Sequence, residues 1–186
     1  MNKLTIFSLI AVFLFTGAGC TVVDPLVIAI GLPLEVSVDL NGGNSWNEDE
    51  IYVIEDEISE VSVEYLDDVK ASRVNDITIF MENPPATGTS SGTFSYAIDG
   101  GTLVQLATWS NVPFSSLAVP GVSVLDASVL TVNPAARTAL LAALQDTSGL
   151  PIASAVRIQT DGTTSVNVPA GTKIVARLHY QIDVEI

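Results

Sequence analysis

The sequence predicts a mainly β protein, a single antiparallel β-sandwich carrying one short α-helix around residues 134–146. Three observations lead there. Apolar and polar residues alternate with period two over several separate segments, the pattern of strands with one face in a core. Turn sequences built on Gly, Asn and Asp fall between those segments. One stretch combines helical apolar spacing with helix start and stop residues.

In chain order, Met1 to Cys20 comes first and stands outside the fold. The amino terminus and Lys3 form a short positive region, Leu4 to Phe15 is an almost continuous apolar run, and Thr16-Gly17-Ala18-Gly19 places small residues before Cys20. This segment resembles the signal of bacterial lipoproteins, in which the cysteine becomes the lipid-bearing first residue of the mature chain. Such signals usually carry an aliphatic residue three places before the cysteine, where this chain has Gly17. The resemblance implies a signal peptide over 1–19, lipidation of Cys20 and residence in the cell envelope. Thr21, where inner-membrane lipoproteins carry Asp, implies the outer membrane. The alternatives are an ordinary cleaved signal and an uncleaved anchor, because Leu4 to Val23 is free of charge and about twenty apolar residues can span a bilayer.

A lipidated N-terminus and tether follow over 20–32, and the sandwich domain occupies 33–186. Thr21 to Pro33 reads as tether or lead-in strand, interrupted by Pro25 and Pro33. Leu34, Val36, Val38 and Leu40 then share one phase, with Glu35, Ser37 and Asp39 on the other. Val61, Val63 and Tyr65 form the next alternating set, followed by Ile77, Ile79 and Met81, and by Phe94, Tyr96 and Ile98. Asn83 to Gly92, with Pro84 and Pro85, reads as an exposed loop, and Asp99-Gly100-Gly101 as a hairpin turn. In the helix, Asn133 caps, Pro134 takes the first position and Gly149 lies past the end, while Ala136, Leu140, Ala143 and Leu144 share a face widened by Leu141. Asp161-Gly162 and Pro169-Ala170-Gly171 are read as the last two turns. The final strand, Thr172 to Ile186, sets Ile174, Ala176, Leu178, Tyr180, Ile182, Val184 and Ile186 against Arg177, His179, Gln181, Asp183 and Glu185. It reads as a central strand; at a sheet edge it would be open to pairing with another chain.

The succession of strand, Asn83-Pro84 and strand between Ile77 and Ile98 resembles one hairpin of late-embryogenesis-abundant type 2 β-sandwiches. The whole outline is similar to immunoglobulin-like or related sandwiches. Both resemblances imply fold alone.

Charge narrows the partners. Removal of residues 1–19 takes away one Lys and no acid, leaving six Lys and Arg against twenty-one Asp and Glu, a formal net charge of −15. Nucleic acid is excluded as a partner, since phosphate binding needs clustered Lys and Arg. Cys20 is the only cysteine, so no intradomain disulfide forms and the fold rests on packing.

The most unusual local feature is Glu35 to Asp68, which holds twelve of the twenty-one acids and no Lys or Arg. Within it Asp39, Asn41 and Glu50 occupy the first, third and twelfth places of a calcium-binding loop. The rest departs from that pattern: Gly43 stands in an acid position and Asn44 in the place of the turn glycine. The main expectation is a solvated polar loop turned by Asn41-Gly42-Gly43. The alternative is a differently built calcium site with Asp39, Asn41, Glu48, Asp49 and Glu50 as ligands. Trp46 and Tyr52 border the stretch and are the candidates for stacking on a sugar ring.

Catalysis finds little support. The single histidine, His179, lies on the polar phase of the last strand, and no nucleophile elbow or His-rich metal motif accompanies it. The sequence therefore points to a non-catalytic envelope lipoprotein without cofactor, a structural or protein-binding module with the membrane and an envelope protein as partners. A calcium-dependent or carbohydrate-binding surface module is the alternative.

Overall fold

The computed structural model describes residues 26–57, 69–125, 128–147, 149, 151 and 153–185. The signal segment, Cys20 and the strand expected at Val61 to Tyr65 lie outside them. Strands β1 (Val27–Asp39), β3 (Val69–Glu82), β6 (Val122–Ser123) and β9 (Lys173–Glu185) build one antiparallel sheet in the order β1-β9-β3-β6. Strands β2 (Ser45–Val53), β4 (Thr89–Ile98), β5 (Val104–Pro113), β7 (Thr131–Val132) and β8 (Ala155–Thr164) build the other in the order β2-β8-β4-β5-β7. Helices α1 (Phe114–Leu117) and α2 (Pro134–Leu144) accompany them. The β-sandwich expected from the alternation is the fold.

Period two explains which residues fill the space between the sheets. Leu34, Val36 and Val38 of β1, Ile77, Ile79 and Met81 of β3, Phe94 and Tyr96 of β4, and Ile174 through Val184 on the even positions of β9 are all buried in one core. β9 lies in the middle of its sheet, bonded on one side to β1 and on the other to β3. Its core face is accordingly apolar along its whole length.

Across the five-stranded sheet, one rung reads Trp46, Gly162, Gly92, Trp109. The two indoles lie over the two glycines and stack on each other, with centroids 6.3 Å apart and planes at 20°. A methyl group at Gly92 or Gly162 would come within 2.5 Å of a Trp ring carbon, so only glycine leaves room. Each indole N–H is satisfied inside the core, Trp46 Nε1 by Thr160 Oγ1 at 3.2 Å and Trp109 Nε1 by Ser90 Oγ at 2.9 Å.

That rung corrects the expected turn at Asp161-Gly162. β8 runs straight through both residues, and Gly162 is there for space rather than for a reversal. The loop expected over Asn83 to Gly92 likewise ends early, because β4 begins at Thr89 and takes Gly92 into the ladder. The Asp99-Gly100 turn does join a hairpin. Both residues have positive φ, 49° and 73°, and Gly101 N–H donates to Ile98 C=O at 2.9 Å, the turn that matches strand twist. Asn41-Gly42 makes the same turn, yet it connects β1 to β2 in the opposite sheet. β3 and β4 are also in different sheets, as are β8 and β9, so neither pair forms the hairpin that sequence order suggests. β1 starts at Val27, so residues 27–32 form a lead-in strand, one of the two readings of Thr21 to Pro33.

α2 matches its sequence signals at the start. The Asn133 side chain accepts from Ala136 N–H at 3.2 Å, and Pro134 opens the helix. It ends at Leu144 with Gln145 as cap, before Gly149. Ala136, Leu140 and Leu144 are buried, and Tyr96 Oη donates to Ala136 C=O at 2.7 Å. The helix thus closes one end of the sandwich.

Candidate functional site

The residues that the sequence singles out converge on one edge of the molecule, where β1 and β2 face each other from opposite sheets. Asp39 closes β1 and its Oδ1 accepts from Asn41 N–H at 3.0 Å, a local bond that shapes the turn. From Ser45 onward the supposed polar loop is strand. This corrects the main expectation for Asp39 to Glu50: only the short connection between Asp39 and Ser45 is turn, and the acids Glu48, Asp49 and Glu50 belong to β2. Extended backbone alternates their side chains between the two faces of the sheet. Asp49 pairs with Arg157 Nε at 2.7 Å. Among the described residues no group of three or more His, Cys, Asp or Glu is placed to hold a metal ion.

Trp46 is 7% exposed and sandwiched against Trp109, so its faces are closed to a sugar. The expectation of carbohydrate stacking at Trp46 is corrected by that burial. Its amphipathic ring serves the core, with the N–H satisfied by Thr160. Tyr52 is half-buried and reaches across the gap between sheets: its hydroxyl donates to Glu35 C=O and accepts from Glu35 N–H at 3.0 Å. Burial pushes its pKa up to about 12, against the pull of the Glu35 backbone and with further help from Glu50, Glu57 and Glu35. Tyr52 therefore acts as a neutral clasp between the edge strands.

A second polar arrangement lies on the outer face of the four-stranded sheet. There the rung Glu35, Arg177, Thr78 crosses β1, β9 and β3. Arg177 Nη2 meets Glu35 Oε2 at 2.6 Å, and its guanidinium carbon sits 5.0 Å from the centroid of the Phe80 ring. One step along, His179 Nε2 and Thr78 Oγ1 are 3.0 Å apart. Phe80, Glu82, Val119 and Pro120 complete a shallow groove of about 280 Å³ around them. Phe80 and Val175 are buried although they point away from the core, which is why they stand outside its cluster. In the sequence Phe80 shares its phase with the polar Thr78 and Glu82. An aromatic in that phase was the readable sign of a covered outer face.

Arg177 and His179 are thus both engaged with neighbours, as a strand-surface role for His179 anticipates. What the groove can do chemically is offer a flat aromatic–guanidinium pair and hydroxyl and imidazole groups to a surface contact. Comparison with models of protein families and with characterised proteins gives no match for this chain.

Proposed function

We propose that the protein is a non-catalytic, lipid-anchored protein of the cell envelope, held at the outer membrane through Cys20, whose β-sandwich serves as a structural or protein-binding module. The observation that carries this reading is the closeness of the lipobox-like segment to the first strand. Seven residue steps separate Cys20 from Val27, where β1 begins. A chain of that length reaches at most about 25 Å even when fully extended. A sandwich whose first strand starts so close to a lipid is held near the bilayer surface, a placement suited to contact with other envelope proteins.

Metabolic labelling with a radioactive fatty acid tests the anchor. The wild-type chain takes the label and the Cys20→Ala chain takes none; a labelled Cys20→Ala chain overturns the anchor. Extraction in mild detergent then tests the module: the protein migrates in a complex larger than itself, with the same companion chain in each preparation. A saturable hydrolase activity of the purified protein would sink the non-catalytic reading.

A further inference from the structure

β2 leaves one side of its backbone open. It is the outermost strand of the five-stranded sheet, with β8 on one side and no described strand on the other. The bonds that flank it fix which groups face outward. Asn44 C=O accepts from Thr164 N–H at 2.8 Å and Ile54 N–H donates to Ser154 C=O at 2.9 Å, so the even-numbered residues bond to β8. Asn47, Asp49, Ile51 and Val53 turn their N–H and C=O groups outward, and none of these finds a backbone partner among the described residues.

The other edges are better guarded. On β1, Pro33 has no N–H, and the Tyr52 hydroxyl takes both backbone groups of Glu35. β6 and β7 are two residues each. β2 thus presents four successive outward positions, Asn47 to Val53, with no guard among the described residues, and its side chains give this edge a chemistry. Glu48 and Glu50 are exposed on one phase and make no ion pair among the described residues. On the other phase Ile51 and Val53 are 61% and 42% exposed.

We infer that β2 is a strand-addition site for a basic extended segment of a partner protein, one that alternates Lys or Arg with β-branched residues. Main-chain bonds to Asn47, Asp49, Ile51 and Val53 hold the incoming strand, and its cations stand opposite Glu48 and Glu50 while its apolar residues cover Ile51 and Val53. A second copy of this chain is the wrong occupant. Pairing β2 with β2 crowds Glu48, Asp49 and Glu50 of two chains that each carry a formal charge of −14. The inference rests on the protein-binding reading and is independent of the lipid anchor.

The probe is a fluorescent nine-residue peptide of alternating Lys and Val, titrated into the full-length chain in detergent, with hydrogen exchange followed by mass spectrometry. The peptide binds saturably, slows exchange over residues 45–53 alone, and weakens steeply with salt. The double variant Glu48→Gln, Glu50→Gln keeps the fold and loses about tenfold in affinity, the size expected of two cross-strand charge pairs. Ile51→Pro removes one outward N–H without touching the ladder to β8 and abolishes binding; an unchanged melting midpoint shows that it still folds. Absence of saturable binding overturns the inference, as does binding without slowed exchange over 45–53. Slowed exchange that depends on protein concentration without peptide assigns the edge to a second copy and also overturns it. If the detergent extract still holds a companion chain while the peptide fails, only the β2 site falls and the protein-binding module stands.

Discussion

Gly162 and Gly31 are both strand glycines, and they differ in what a single methyl group meets. At Gly31 nothing lies within 4 Å, whereas at Gly162 the added carbon falls 2.5 Å from Trp46 Cζ2 and closer still to the Ser91 carbonyl oxygen. Gly162→Ala therefore destabilises by about 1–3 kcal/mol through overpacking, and Gly31→Ala changes little; paired urea melts check the contrast. Tyr52→Phe removes both bonds to Glu35 and is expected to lower stability by about 1 kcal/mol, again read from the urea midpoint. Both predictions concern residues whose roles the sequence only half disclosed. Trp46 stood out as an aromatic among acids, but nothing local indicates that its ring lies over a glycine more than a hundred residues away and against a second indole.

Elements were legible in proportion to how much core they face. β9 shows clean alternation because one whole face of it is buried, whereas β3 alternates legibly only from Ile77 to Met81, because a register shift between Val74 and Asp76 moves its buried phase. β2 reads as a loop because its inward phase is Trp46, Glu48, Glu50 and Tyr52, with a buried ring at one end only. An edge strand that overhangs the core needs no apolar stripe, so period two carries no hydrophobic signal there. α2 announced itself through Asn133 and Pro134, which act locally. Asn133→Ala, which removes the acceptor for Ala136 N–H, is expected to cost about 1 kcal/mol, seen as a lower midpoint with an unchanged denaturant slope. Turns were legible as turns, but which strands they join was not. Asn41-Gly42 and Asp99-Gly100 share a conformation, and one crosses between sheets while the other closes a hairpin.

Over the whole molecule, phenols held in the core or at its edge tie stability to alkaline pH; burial raises Tyr96 as well as the two that move furthest. Burial raises both Tyr52 and Tyr180 to about 12 from the usual 10; at Tyr180 the Ser72 hydroxyl pulls weakly the other way and Asp146 adds to the rise. Among the described residues no hydrogen-bond geometry joins the Tyr180 hydroxyl to a neighbour, and burial is the largest cause of its shift. Because the folded-state values are raised, their stabilising contribution is complete below pH 10 and is lost as pH climbs from 10 to 12. A thermal midpoint that falls across that window in wild type and less steeply in Tyr180→Phe is the expected result. The same sheet that buries Tyr180 also sets an order of events. β1 and β3 do not touch each other within it; both are joined through β9, and Glu35 finds Arg177 across 142 residues of chain. Contacts so distant in sequence make closure slow. While the polypeptide is still emerging from the ribosome, the strand that must lie between the other two has yet to be made. A sheet whose centrepiece is made after both of its neighbours holds a place open for it, and the order of synthesis becomes the order of closure.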